Sequence, residues 1–178
     1  MTATRTKALA AAAALLAVPA LSSCGGNFDA QTDQMYTPAD GVNDYEGSVD
    51  VLNALIVSGT PGSGRFIAGL NNDSTESLTL ESVEGVGESA EVTFSIEGGE
   101  TELPARGYIQ LAHDDAAMVV ASGSAEALQP GKFVRVSLTF AGGQSAELDV
   151  PVLGTSPIYD QIELPTGTSD TESVSTEE

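Results

Sequence analysis

The chain of 178 residues holds one cysteine, one histidine and no tryptophan. A single cysteine excludes an internal disulfide framework and any cluster built from several thiolates. A single imidazole excludes sites that need two. Lys and Arg number 6 against 26 Asp and Glu, a formal net charge of -20. Phosphate backbones are gripped by clustered cations, so this balance excludes nucleic acid as a partner. With 4 Tyr and 5 Phe, platforms for stacking sugars are scarce, which argues against a glycosidase cleft. No Gly-x-Ser-x-Gly elbow occurs, and a Ser-His-Asp triad would have to use His113 in the run His113-Asp114-Asp115. That run reads better as a surface turn whose aspartates cap backbone amides. Gly59 to Gly64 is glycine-rich, but no Lys follows and no helical period begins, so it reads as a long hairpin loop and not a phosphate cradle. These exclusions lead to the expectation that the protein is not an enzyme.

No long hydrophobic run is present either. The apolar stretch from Ala8 to Ala20 is too short to span a bilayer comfortably. Arg5 and Lys7 precede it, and Leu21-Ser22-Ser23-Cys24 follows it. Positive residues, an apolar run and small residues before a lone cysteine together resemble a bacterial lipobox. The resemblance implies that residues 1–23 are a lipoprotein signal peptide and that Cys24 is the lipidation site, carrying palmitate and diacylglycerol. The protein would then sit on the extracytoplasmic face of the cell membrane, held there by about 0.8 kcal/mol per buried acyl methylene.

Residues 24–42 are polar and show no period of 2.0 or 3.6, as expected of the lipidated cysteine and a flexible tether. Residues 156–178 end in Thr-Gly-Thr-Ser-Asp-Thr-Glu-Ser-Val-Ser-Thr-Glu-Glu. That composition buries too little apolar surface to offset ordering entropy, so an acidic disordered tail is expected. Between them, 43–155 is long enough for one core. Its signal is period 2. Val92, Phe94 and Ile96 alternate with polar neighbours, as do Val134, Val136, Leu138 and Phe140, and Ala146, Leu148, Val150 and Val152. The last two runs flank Ala141-Gly142-Gly143-Gln144, and paired glycines accept the positive φ of a hairpin turn. Val49 to Val57 is apolar at nearly every position, which predicts a strand covered on both faces. Shorter strands are expected at 65–70, 77–83, 107–112 and 118–122. No amphipathic helix is apparent. The pattern predicts an all-β fold, an antiparallel β-sandwich of about eight strands with flexible tails.

Two polar clusters could bind a hard cation: Asn71, Asn72, Asp73, Ser74 and Glu76, and the pair Asp114 and Asp115. Neither has the alternating donors and central glycine of an EF-hand loop, so both read as solvated turns.

Several segments of the second half are distinctive: Leu103-Pro104-Ala105-Arg106-Gly107-Tyr108, Leu128-Gln129-Pro130-Gly131-Lys132, Val134 to Phe140, and Ala146 to Val152. They resemble the C-terminal half of the periplasmic copper chaperone (PCuAC) family. The first half adds Val51-Leu52-Asn53-Ala54-Leu55-Ile56-Val57 and Gly64-Arg65-Phe66-Ile67-Ala68-Gly69-Leu70. With these the chain looks like the LpqE-type actinobacterial lipoproteins, a related branch. The resemblance covers about 45–153 and implies a cupredoxin-like sandwich. It also implies a Cu(I) site built from His and Met, the soft and borderline donors that suit that ion. Here the sequence departs from the family. Met118 and Val120 stand at the place of the His-x-Met pair, and the strand around Val92 has neither His nor Met. Met118 then reads as a strand residue packing in the core. His113 and Met118 are left as weak remnant candidates for Cu(I), with no confident metal or cofactor site. The branch implies a non-enzymatic accessory protein docking on a membrane-protein complex such as the respiratory bc–aa3 oxidase supercomplex. The alternative is a copper metallochaperone that retains weak Cu(I) handling. The block 43–155 carries 17 acidic and 4 basic residues, so a partner is expected to offer a basic surface. Gly59 to Gly64 is a candidate contact because loops carry binding more often than strand interiors.

Overall fold

The structure, a computed structural model, describes residues 39–165. Cys24, the signal segment, most of the tether and the acidic stretch from 166 onward lie outside the described residues. Ten strands form: β1 (Val42–Asp44), β2 (Val49–Thr60), β3 (Ser63–Asn72), β4 (Leu78–Gly85), β5 (Thr93–Glu97), β6 (Glu102–Leu103), β7 (Tyr108–Gln110), β8 (Met118–Ser122), β9 (Phe133–Phe140) and β10 (Gln144–Gly154). One 3-10 turn spans Gly87–Ser89. No α-helix occurs among the described residues, in line with the period-2 pattern.

The strands join in the order β5-β8-β3-β2-β10-β9-β4-β6, with β1 added to β2 and β7 to β3. This continuous sheet folds over so that β2, β3 and β8 face β4, β9 and β10 across one core. Val51, Ile56, Phe66, Leu70 and Val119 come from the back layer, and Leu80, Val136, Leu138, Leu148 and Val150 from the front. Phe66 and Phe94 meet edge to face, ring centroids 6.3 Å apart at 87°, the geometry the aromatic quadrupole favours.

The hairpin at Gly142-Gly143 forms as expected. Both glycines have positive φ, 92° and 80°, and β9 and β10 pair from Phe140↔Gln144 to Pro151↔Phe133. There β10 changes partner. From Val152 it runs parallel to β2, pairing with Ile56 to Ser58. Pro151 has no N–H to give a ladder and falls at this changeover. The sheet is therefore mixed and not wholly antiparallel.

The Gly59–Gly64 stretch is not a long loop. Thr60 pairs with Ser63, leaving Pro61-Gly62 as a two-residue turn with Gly62 at φ 78°, the Pro-Gly order that a type II turn favours. In mid-strand, β2 carries an extra residue between its pairs Leu52↔Gly69 and Leu55↔Ile67. Asn53 sits at this bulge with φ 50°. Its amide donates to Asn43 Oδ1 (2.6 Å), and its Oδ1 accepts from Gly41 N (2.8 Å), so β1 clamps the bulge.

Packing also continues beyond residue 155. Tyr159, Ile162 and Leu164 lie against Leu55, Val57 and Ile67 on the outer face of the back layer. This is the second cover that the uniformly apolar run of β2 required. The domain boundary read at 155 thus falls short of the last packed side chain, Leu164.

Candidate functional site

Alternation along β3 sends Phe66, Ala68 and Leu70 into the core and leaves Arg65 and Ile67 on the outer face. Arg65 nevertheless is only 2% exposed, because residues 156–165 cross over it as a strap. Its Nη1 donates to the Glu163 carbonyl (3.1 Å), and its Nη2 donates to the carbonyls of Leu111 (2.8 Å) and His113 (3.4 Å). Nε is buried with no partner. Among the described residues the ion pair is Arg135–Asp149, on the solvent side, so Arg65 is a buried cation held by neutral oxygens. Burial pushes the guanidinium below its ordinary range, against the opposing pull of Glu163 and Asp114.

The strap is held by few polar contacts. Its backbone turns on itself, Tyr159 N to Ser156 O and Ile162 N to Tyr159 O, and pairs with no strand. Tyr159 Oη donates to Asp40 Oδ2 (2.7 Å). Partial burial, with that carboxylate beside it, raises the phenol to about 12. Gly59 makes room for Leu164: a Cβ there would lie 2.5 Å from Leu164 Cδ1.

Two shallow cavities flank the strap. One, of about 560 Å³, is lined by Ser95, Glu97, Met118, Val120, Glu163 and Pro165 among others. The other, of about 530 Å³, lies between Gln161 and Ile162 and the loop His113-Asp114-Asp115.

The sequence candidates fall on opposite sides of this strap. Met118 opens β8 opposite Glu97 of β5. It is half-buried on the outer face and lines the first cavity, whereas Val119 and Ala121 take the core positions. Met118 is therefore not the core residue that its strand pattern suggested, because the alternation starts on the outer side. His113 is exposed in the turn after β7, its amide donating to Gln110 O, and it lines the second cavity. These are the soft and imidazole donors of the described residues, and the structure does not bring them to one cavity. Nor does any group of three or more His, Cys, Asp or Glu among the described residues converge to hold a metal.

The Asn71–Glu76 turn uses its own oxygens. Asn72 is fully buried. Its Oδ1 accepts from Ser74 N and Oγ, and its Nδ2 donates to the carbonyls of Glu76, Leu103 and Pro104. The Asn72 side chain ties β3 to β6 and leaves little for a cation. Arg65 went unnoticed as a site residue in the sequence. Its signal was a lone cation between Gly64 and Phe66 in a strand otherwise apolar through Leu70.

No protein-family model and no curated protein matches the chain. Solved structures do. The apo PCuAC domain from PmoF1 is similar with a TM-score of 0.54 at 18% identity, covering 64% of this chain and 100% of that one. The copper-bound PCuAC domain from PmoF2 gives a TM-score of 0.51 at 14% identity, covering 64% and 99%. At such identities the likeness is one of fold: the described chain has a PCuAC-like sandwich.

Proposed function

We propose that this protein is a lipid-anchored, extracytoplasmic accessory protein that docks on a membrane-protein complex and no longer carries the copper site of its fold relatives. The observation that carries the reading is the placement of His113 and Met118, the remaining soft donors of the described domain, which line separate cavities. A PCuAC-like fold without a converging donor set keeps a scaffold and loses the chemistry, and a fold alone does not fix a function. The Leu21-Ser22-Ser23-Cys24 sequence supplies the anchor in this reading. The resemblance to LpqE-type lipoproteins makes the respiratory bc–aa3 oxidase supercomplex the first complex to try. Detergent-solubilised membranes bearing the tagged full chain test it: oxidase subunits co-purify, and Cys24→Ala releases the protein from the membrane and abolishes palmitate labelling. Recovery without any oxidase subunit removes that partner.

A second reading, a metallochaperone with weak Cu(I) handling, is favoured by the copper-bound neighbour of the same fold. Titration against a Cu(I)-chelating competitor separates the two. A flat response, unchanged by His113→Ala or Met118→Ala, supports the accessory protein.

A further inference from the structure

We infer that the cavity between β7 and the His113-Asp114-Asp115 turn is a binding site for a guanidinium group. The inference stands on this cavity and does not depend on the docking role. The cavity holds about 280 Å³ and is lined by Glu100, Tyr108, Gln110, His113 and Asp115, with Ile109 and Ala116. Sites for drug-sized ligands begin at about 300 Å³, so this one suits a head group or a single side chain. Its walls are fixed by backbone bonds, which leaves the side chains that line it free to bind. Glu100 N donates to Asp115 O (3.0 Å), Ala117 N to Glu100 O (3.1 Å), His113 N to Gln110 O (3.0 Å) and Leu111 N to Ala68 O (2.9 Å). Gly99, at φ 62°, lets Glu100 come in beside Ala116, since a Cβ there would strike the Ala116 carbonyl. Arg65 holds the turn from behind, through the carbonyls of Leu111 and His113.

What the cavity offers is acceptors. Gln110 Oε1 is buried with no partner, and a buried acceptor costs free energy until a donor reaches it. Glu100 and Asp115 add carboxylates, and among the described residues no Lys or Arg lines the cavity. The charge of Arg65 is drawn to Glu163 and Asp114, and neither of these lines it. Tyr108 adds a ring. It lies over Gly69, where a Cβ would strike its hydroxyl, and it remains 52% exposed. These acceptors do not converge on a point, since no three His, Cys, Asp or Glu of the described residues are placed to share a metal ion. Only a wider cation reaches them together. Guanidinium is planar, carries five N–H donors in a fixed fork and stacks on aromatic faces. An ammonium presents its donors from one atom and meets fewer of these groups. A free small molecule and an arginine side chain of a partner protein bring the same chemistry.

Nuclear magnetic resonance of the isotopically labelled full chain tests the site by titration. N-acetyl-arginine methylamide should shift the Gln110 side-chain amide signals and saturate. N-acetyl-citrulline methylamide, similar in shape but uncharged, should bind about tenfold more weakly or worse, because charge-assisted hydrogen bonds are lost. The lysine analogue should fall between the two. Followed at the Ala116 amide, Glu100→Gln should weaken the arginine analogue about tenfold. Gln110→Leu should weaken it about fivefold without lowering the melting temperature, because it removes an unpaired buried acceptor. Glu81→Gln removes the same charge from β4, outside this cavity, and should change binding less than about twofold. An equal loss in the two Glu variants would show loose association with an acidic surface and overturn the proposal. So would a citrulline analogue that binds as well as the arginine one, or shifts that fail to saturate or bypass Gln110. The wild-type titration stands even where a variant fails to fold. Methylguanidinium and the peptide Gly-Gly-Arg-Gly-Gly then decide the source. A peptide about threefold tighter or more assigns the site to an arginine of a partner protein, because chain contacts add to the head group, and a smaller gap assigns it to a free small cation.

Discussion

The two faces of β2 and β3 present similar side chains and are covered in different ways. Inward, Ile56 and Phe66 meet a second layer whose strands are tied to the first through β10. Outward, Leu55, Val57 and Ile67 meet three side chains of a strap with no strand pairing. Apolar burial per unit area is the same on both sides. Cooperativity is not, because the inner cover cannot leave without breaking the sheet, whereas the outer cover has no strand ladder to break. A uniformly apolar strand thus reports that both faces are covered and says nothing about how firmly.

That contrast can be broken or sharpened by substitution. Truncating the inner face should cost most: Phe66→Ala, which removes a fully buried ring and its edge-to-face partner Phe94, is expected to lower unfolding free energy by about 3–5 kcal/mol in urea melts. On the outer face Leu164→Ala should cost about 1–2 kcal/mol and raise strap exchange far more than exchange of β9. An equal rise in both would show that the strap and the sheet form one cooperative unit. Smaller still is Tyr159→Phe, which deletes one hydrogen bond to Asp40 at about 1 kcal/mol or less. Tyr159 also gives the strap a pH signature. Its phenol titrates at about 12 in the folded chain against an ordinary 10.0, so the unfolded chain loses this proton first. Its stabilisation is intact below pH 10, declines as the unfolded phenol ionises, and is gone once the pH passes about 12. Thermal melts across that window should fall more steeply for the wild type than for Tyr159→Phe. Last, Arg135→Ala removes an exposed bidentate pair with Asp149 and should leave melting unchanged, since solvent screens such pairs.

Much of this was legible in the sequence. Strand alternation located β5, β9 and β10, and the paired glycines located the β9–β10 hairpin, because period 2 and positive φ are local properties. The two-sided cover of β2 was legible too, from Leu55-Ile56-Val57. What covers its outer side was not. Tyr159, Ile162 and Leu164 have no strand period, and their neighbours Asp160, Gln161 and Glu163 give the segment the look of a tail. The parallel join of β10 to β2 was equally hidden, since it links the first long strand to the last. Met118 was placed on the right strand but on the wrong side of it. A one-residue shift in where alternation starts exchanges inside for outside. Arg65 was hidden for a related reason: its partners are backbone carbonyls far along the chain, which no side-chain motif announces.

The changeover at Pro151 has a consequence for how the protein comes into being. As the chain emerges from its N-terminus, β2 and β3 can zip through their Pro61-Gly62 turn at once. The seam between the two layers needs the last strand, so a nascent chain stopped before Val152 holds two half-covered sheets and no closed core. Closure of the core therefore waits on β10 reaching β2. The rate-limiting event should be the long-range arrival of β10 beside β2, the kind of late, distant closure that slows β-rich chains and leaves their edges open to mispairing while they wait.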